Sequence, residues 1–269
     1  MKSPFQPFAP AAALTEKRVI PRKVRSTAMY NILRSNFPLL TWLALGSLVQ
    51  GLVSLFLPSQ YALVPVVCYL SQRILRTAFM YFGLIRGEHM AEVLPGRFTA
   101  QIPGRDGSPP QQPGDQEITI IILATRSNHP LGVFAPGYAG VYREMGKMIA
   151  DLHTGKEKYG FLGNTAWQAI AEQSENNQIM TLMYFRSVDD LHNYAHGPLH
   201  RKAWEWWNSI TKDHPHLSIM HEVYHAPKGH WENIFVNNHL TGIANTVARV
   251  DIDGQKMRPL FDASHNDSY

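Results

Sequence analysis

The sequence predicts an α+β protein, a ferredoxin-like domain preceded by an N-terminal hydrophobic membrane segment. Three observations carry that expectation. Phe37 to Leu57 reads FPLLTWLALGSLVQGLVSLFL, twenty-one residues without a charge. From Glu117 onward, hydrophobic periods of two and of 3.6 follow one another in the order β-α-β-β-α-β. Between these regions, Pro95 to Asp115 is rich in proline, glycine and polar residues and marks a boundary.

Composition sets the bounds. Of 269 residues, 45% are hydrophobic and only 17% charged, against roughly 25% charged in soluble domains. Mean hydropathy is nonetheless −0.21, so the apolar residues are concentrated in places. The net charge of +4 and pI near 9.1 are mildly basic. Lys17, Arg18, Arg22, Lys23 and Arg25 stand upstream of the apolar run, with Arg34 at its edge and almost no aromatic residues interleaved. That pattern suits an anionic membrane surface and no nucleic acid, since no recognition motif accompanies the charge. Cys68 is the single cysteine, which excludes an intrachain disulfide or a cysteine-based zinc site.

The chain divides into a basic, Pro/Ala-rich segment (1–36), a membrane anchor (37–94), a linker (95–116), a ferredoxin-like domain (117–250) and a C-terminal tail (251–269). Little fixed structure is expected before about Thr27. The run 37–57 is long enough to span a bilayer core, which takes about 20 helical residues. Tyr61 to Leu70 is apolar again, but ten residues are too few for a regular span, and Pro65 sits among them. The anchor is thus either a hydrophobic hairpin or a span plus an interfacial helix, with Arg73, Arg76 and Arg86 interleaved with aromatics. Positive residues on both flanks place both on the cytosolic side. The expected location is membrane-associated, on a membrane such as the endoplasmic reticulum, with the domain facing the cytosol.

Within the domain, Glu117 to Thr125 (EITIIILAT) reads as a strand buried on both faces. Tyr138 to His153 is an amphipathic helix closed by Gly155. Tyr159 to Ile170 is an irregular strand with a bulge at Gly160 or Gly163, and Gln178 to Arg186 another strand. Ser187 caps a helix that carries Asp189 and Asp190 in its first turn. Gly197-Pro198 breaks this helix, and it resumes through Trp207. Leu217 to Ala226 is the last strand. Such a sheet has one face under the helices and the other open, so that two copies can close their open faces into a barrel.

His221-Glu-Val-Tyr-His225 matches H-E-x-x-H, the helical zinc-protease pattern. The segment alternates like a strand, where positions i and i+4 lie about 13 Å apart, too far for one zinc ion. Nine of the thirteen histidines fall between His192 and His239. Either these are surface residues, or some form a pocket of imidazoles that exchange protons near neutral pH. Haem ligation by one of them is a third reading. Leu199, Ala203, Trp206, Trp207 and Ile210 follow helical spacing as a core face, with His200 and Trp204 on the adjacent stripe. No G-x-G-x-x-G, P-loop or G-x-S-x-G motif is present.

The stretches FRSVDDLHNYAHGPLHRKAW, HEVYHAPKGHWENIFVNN and TGIANT resemble fungal monooxygenases related to the antibiotic-biosynthesis monooxygenases, of the type that acts on a polyketide in the fumagillin pathway. The resemblance runs from about Arg97 to Val247 and includes the apolar N-terminal segment. It implies a dimeric α/β-barrel, therefore a homodimer, and oxidation of a small lipophilic polyketide or terpenoid-type intermediate in secondary-metabolite biosynthesis. O₂ is the implied co-substrate, with no flavin or metal. Carried over by position, the motif residues are His200, Arg201, Ala203, Trp204, His221, Glu222, Tyr224, Glu232 and Asn237. On this reading His200, Trp204, His221 and Tyr224 border the pocket. A histidine or Glu222 acts as base, and Asn237 or Trp204 donates hydrogen bonds to the substrate anion. The alternatives are a haem-dependent dehydratase-like enzyme on a related barrel and a non-catalytic membrane-associated pathway protein.

Overall fold

A computed structural model describes residues 6–8, 30–85, 87–90, 92–169 and 177–264. It divides the chain into two units, Phe37–Val93 and the remainder. Lys17, Arg18, Arg22, Lys23, Arg25, Arg86 and Ile170, which figure in the expectations above, lie outside the described residues.

In the unit 37–93, helix α1 (Leu39–Phe56) has no buried residue, and by length and composition alone it suffices to cross a membrane. A single turn, Ser59–Ala62, follows; Gln50 ties it back by donating to the Ala62 carbonyl at 3.1 Å. Helix α2 (Val64–Tyr81) takes in the second apolar run. Pro65 does not break it. Proline lies in the first turn, where its missing N–H would have no helical partner anyway, and the helix continues through Arg73 and Arg76.

The other unit begins where a linker was expected. Leu94–Ala100 is strand β1, and Phe98, Ala100 and Ile102 alternate into the core at 0–3% exposure. Phe98 stacks on Phe8 and on Phe235, with ring centroids 5.0 and 5.2 Å apart. The proline- and glycine-rich continuation is ordered by polar side chains. Buried Gln101 accepts from the Gly114 N–H at 2.9 Å, and Arg186 donates to the Pro103 carbonyl at 2.7 Å. Composition concealed this, because side chains elsewhere in the fold satisfy the loop's backbone.

Strand β2 (Ile118–Ser127), helix α3 (Tyr138–Thr154), strands β3 (Phe161–Gln168) and β4 (Ile179–Phe185), helices α4 (Val188–Ala195) and α5 (Pro198–Ile210), and strand β5 (Leu217–Ala226) follow in the predicted order. The strands form an antiparallel sheet in the order β3-β4-β2-β5. The register shift between Phe161 and Gly163 is the expected bulge. Ser187 caps α4 by accepting from the Asp190 N–H at 3.1 Å. The Asp190 carboxylate in turn accepts from Ser187 Oγ and from Arg105, at 2.7 and 2.6 Å. Gly160 packs against this carboxylate with φ +56, where a β-carbon would overlap it.

The C-terminal region is also more than a tail. Strands β6 (Phe235–Asn238), β7 (Val250–Ile252), β8 (Gln255–Met257) and β9 (Leu260–Asp262) follow. β6, β1 and β9 make a second antiparallel sheet, and β7 and β8 a hairpin. Residues 6–8 are fixed as well, in a region expected to lack structure. Phe8 N–H donates to the Leu260 carbonyl and Asp262 N–H to that of Gln6, at 3.0 and 2.9 Å.

The register gives β2 two distinct faces. Thr119, Ile121 and Leu123 share a face with Phe185, Met183 and Thr181, and helices α3 to α5 cover it. Ile118 and Ile120, with Leu182, Tyr184 and Leu162, pack against Leu94, Phe98, Ala100 and Leu260 of the second sheet. One end of the face expected to stay open is therefore closed by the chain itself. Trp167 and Met220, toward the other end, remain exposed. The fold is α+β, with antiparallel sheets.

If β1 is a core strand, Phe98→Ala lowers stability by about 3–5 kcal/mol, the usual cost of deleting a buried phenylalanine ring. Urea unfolding of the full chain reads this as a lower midpoint at unchanged slope. A linker residue would leave the midpoint in place.

Candidate active site

The break at Gly197-Pro198 matters because it turns two short helices across one end of the sheet. Proline in the first turn of α5 starts the helix afresh, so α4 and α5 can each send side chains into one cavity. That cavity, of about 490 Å³, lies between α3, α4, α5 and the face of β2 that carries Ile121 and Leu123. Its apolar lining comes from those two residues with Met183 and Phe185 of β4, Val223 of β5, and Met145, Met148 and Leu152 of α3. The polar lining is His192, His196, His200, Arg201 and His221, with Tyr194 and Trp204 beside them.

His200 is half-buried and its environment can be read closely. Burial holds its pKa below the ordinary 6.5, and the neighbouring His221 and His196 push the same way, while a hydrogen bond to the Ala195 backbone opposes them. A neutral imidazole keeps a lone pair on one ring nitrogen, and the lowered pKa favours that form, so His200 is suited to act as a base. The Tyr194 ring meets it edge-on at 6.4 Å between centroids; the Tyr194 hydroxyl is engaged elsewhere, donating to the Met148 carbonyl at 3.0 Å. Among the described residues, Arg201 is the one permanently charged side chain of the lining, and no carboxylate lines the cavity. Trp204, one helical turn after His200, stands at the rim with half its surface exposed.

Of the six residues singled out from sequence, the fold brings His200, Trp204 and His221 together on this cavity. It separates the other three. Glu222 and Tyr224 are paired with Ile122 and Ile120 on β2, whereas His221 and Val223 are paired with Leu123 and Ile121. Alternation therefore turns Glu222 and Tyr224 to the opposite face of the sheet. There the Tyr224 hydroxyl donates to Glu222 Oε2 at 2.7 Å, and that bond raises the phenol pKa. Asn237 lies in the second sheet at φ +46, and its Oδ1 accepts from the Gly96 N–H at 2.9 Å, joining β6 to β1 near the bulge.

The strand reading of His221 to His225 holds, since both histidines belong to β5. His225 is beside Thr119 Oγ1 and Glu117 Oε2, at 3.3 and 3.5 Å. Among the described residues no group of three histidine, cysteine or acidic side chains is placed to hold a metal ion. Sequence reasoning did not assign Met145, Met148, Met183 and Tyr194 to the cavity. The signal for the α3 methionines was their helical spacing, which by itself says only that they face inward.

Residues 118–243 match the family model described as monooxygenase af470-like. Monooxygenase af470 of Aspergillus fumigatus is 34% identical over 236 residues, covering 87% of this chain and 83% of that protein. The chain belongs to this monooxygenase family. It is accordingly an oxidoreductase, which sets aside the reading as a non-catalytic pathway protein. Among solved structures, an aldoxime dehydratase aligns over 60% of this chain and 45% of its own, at 15% identity and a TM-score of 0.42. This chain thus spans under half of that enzyme. A mutant form of SnoaB, a cofactor-independent oxygenase from Streptomyces nogalater, aligns over 40% of this chain and 92% of its own, at 11% identity and a TM-score of 0.28. At such values neither likeness bears on the chemistry.

The geometry separates the members of the monooxygenase's sequence-derived site. His200→Ala lowers kcat/KM by about 10²–10⁴-fold, the usual contribution of a general base. Glu222→Gln and Asn237→Ala, away from the cavity, leave turnover of folded enzyme unchanged. Steady-state O₂ consumption by the three variants checks this.

Proposed function

We propose that this monooxygenase oxygenates a small lipophilic substrate of polyketide or terpenoid type in fungal secondary metabolism, using O₂ without flavin or metal. The observation that carries the reading is His200, half-buried with its pKa held below the ordinary value, at the polar end of an apolar cavity beside the cationic Arg201. The apolar lining suits a hydrocarbon-rich molecule, and the polar end suits an acidic group about to lose a proton. His200 removes that proton. Arg201 and the N–H groups of His221 and Trp204 stabilise the resulting anion, which reduces O₂ and combines with it to form a hydroperoxide. Where the carbon still bears hydrogen, loss of water leaves a carbonyl, so that R₂CH₂ + O₂ becomes R₂C=O + H₂O. All electrons come from the substrate, and the imidazolium returns its proton to the departing oxygen.

Two further parts of the proposal concern the setting. A second copy closes over the exposed end of the outer sheet face, where Met220 presents apolar surface on the edge strand β5, giving a homodimer. The helix Leu39–Phe56 holds the enzyme to a membrane, with the catalytic unit on the cytosolic side, as at the endoplasmic reticulum. A lipophilic intermediate collects in the same membrane.

The base assignment fixes the sign of the pH dependence. Neutral His200 is the competent form, so kcat/KM is level near neutral pH and falls as pH drops through a value below 6.5. A midpoint above that value would contradict it. Purified enzyme that is colourless yet consumes O₂ with its substrate supports the cofactor-free reaction. A Soret band that persists through purification and disappears in His200→Ala would transfer the assignment to a haem enzyme.

A further inference from the structure

Asn36 is the last residue of the folded unit before the apolar segment 37–93 begins, and it is firmly held. Its side chain is 1% exposed. The amide donates to the Leu131 carbonyl at 3.1 Å and accepts from the Val133 N–H at 2.7 Å. Between these contacts Gly132 has φ +54, and a β-carbon there would overlap the Asn36 amide. Only glycine lets the turn close over it. One residue earlier, the Ser35 hydroxyl, which donates to the Asn31 carbonyl at 3.0 Å, lies 3.3 Å from Gln168 Oε1 at the end of β3. The point from which the apolar segment departs is therefore pinned at Asn36 and lies beside the end of β3.

Both places carry exposed apolar side chains. Leu131 and Phe134 are 48% and 58% exposed on the turn, and Trp167, beside Gln168, is 45% exposed. Asn128 to Gly137 contains no charged residue over ten positions, unusual for a surface loop. The neighbours Val133 and Tyr138 point inward, against Val141 and Leu217, so the loop has already placed its buried residues and holds the others outside. Leucine, phenylalanine and tryptophan, with a loop free of Asp, Glu, Lys and Arg, are the composition of a bilayer interface contact. The apolar helix starts at Leu39, three residues after Asn36.

We infer that Leu131 and Phe134, with Trp167 beside them, enter the interfacial layer of the membrane and give the folded unit a second contact with lipid. The inference rests on the reading that α1 is embedded in that membrane. The partner is the headgroup–acyl boundary, and insertion to a depth of about 5–10 Å is the ordinary range for such contacts. The contact restrains the catalytic unit against the bilayer surface, so the unit does not swing on a free tether.

The test uses the full chain with Cys68→Ser, reconstituted in phosphatidylcholine vesicles with and without brominated acyl chains. Single cysteines carry an environment-sensitive fluorophore at Leu131→Cys, Phe134→Cys, Leu45→Cys in α1 and Lys256→Cys in the β7–β8 hairpin. Brominated lipid is expected to reduce emission, and lipid to shift it to the blue, at 45, 131 and 134 but not at 256. Quenching at 45, with 131 and 134 as unaffected as 256, overturns the loop contact and leaves the anchor standing. An unquenched label at 45 overturns the anchor and the inference with it.

Discussion

Ile118 and Ile120 point to one side of β2 while Ile121 and Leu123 point to the other, and the domain is built to cover both sides. A strand hydrophobic on two faces needs a layer on each. The helices α3 to α5 supply one and the sheet β6-β1-β9 supplies the end of the other. Each layer has its own consequence. The helical layer stops short of full closure near the Gly197-Pro198 break, and the unfilled space there is the cavity. The second sheet takes over part of the surface that a bare four-stranded sheet would leave to a partner.

The same period of two explains why the site was only half legible. His221 and Glu222 are adjacent in sequence and belong to one motif, yet a strand sends them to opposite faces. Motif resemblance groups residues by their spacing along the chain, and pleating sorts them by parity. His200 and Trp204 survived that sorting because they are one turn apart on a helix, so they share a direction. Asn237 shows the limit differently. A positive-φ position in a short strand is filled by a residue whose side chain also closes a backbone gap, and sequence cannot distinguish such a role from hydrogen-bonding to substrate.

Elements held by local signals were readable. The cap at Ser187, the Gly-Pro break, the bulge near Gly163 and the alternation of β5 all report themselves within a few residues. The second sheet did not. Phe98 in β1 is paired with Phe235 and Asp262, far along the chain, and β9 is three residues long. The Pro-Gly start of β1 reads as loop by any propensity. Its alternating Phe98, Ala100 and Ile102 were the only local trace, and tertiary contact decided the outcome.

The pairing of residues 6–8 with Leu260–Asp262 also orders events during synthesis. These partners are separated by about 250 residues, so residues 6–8 leave the ribosome long before the strand they bridge to, and contacts of such separation form late. The apolar helix Leu39–Phe56 emerges in the interval. Phe8 and then Phe98 therefore await their partners while the rest of the chain is made, and the layer under the outer sheet face closes only afterward. A chaperone that shields the 94–102 segment during that delay would influence the yield of folded enzyme more than one acting on the β-α-β-β-α-β core, whose neighbours arrive in order.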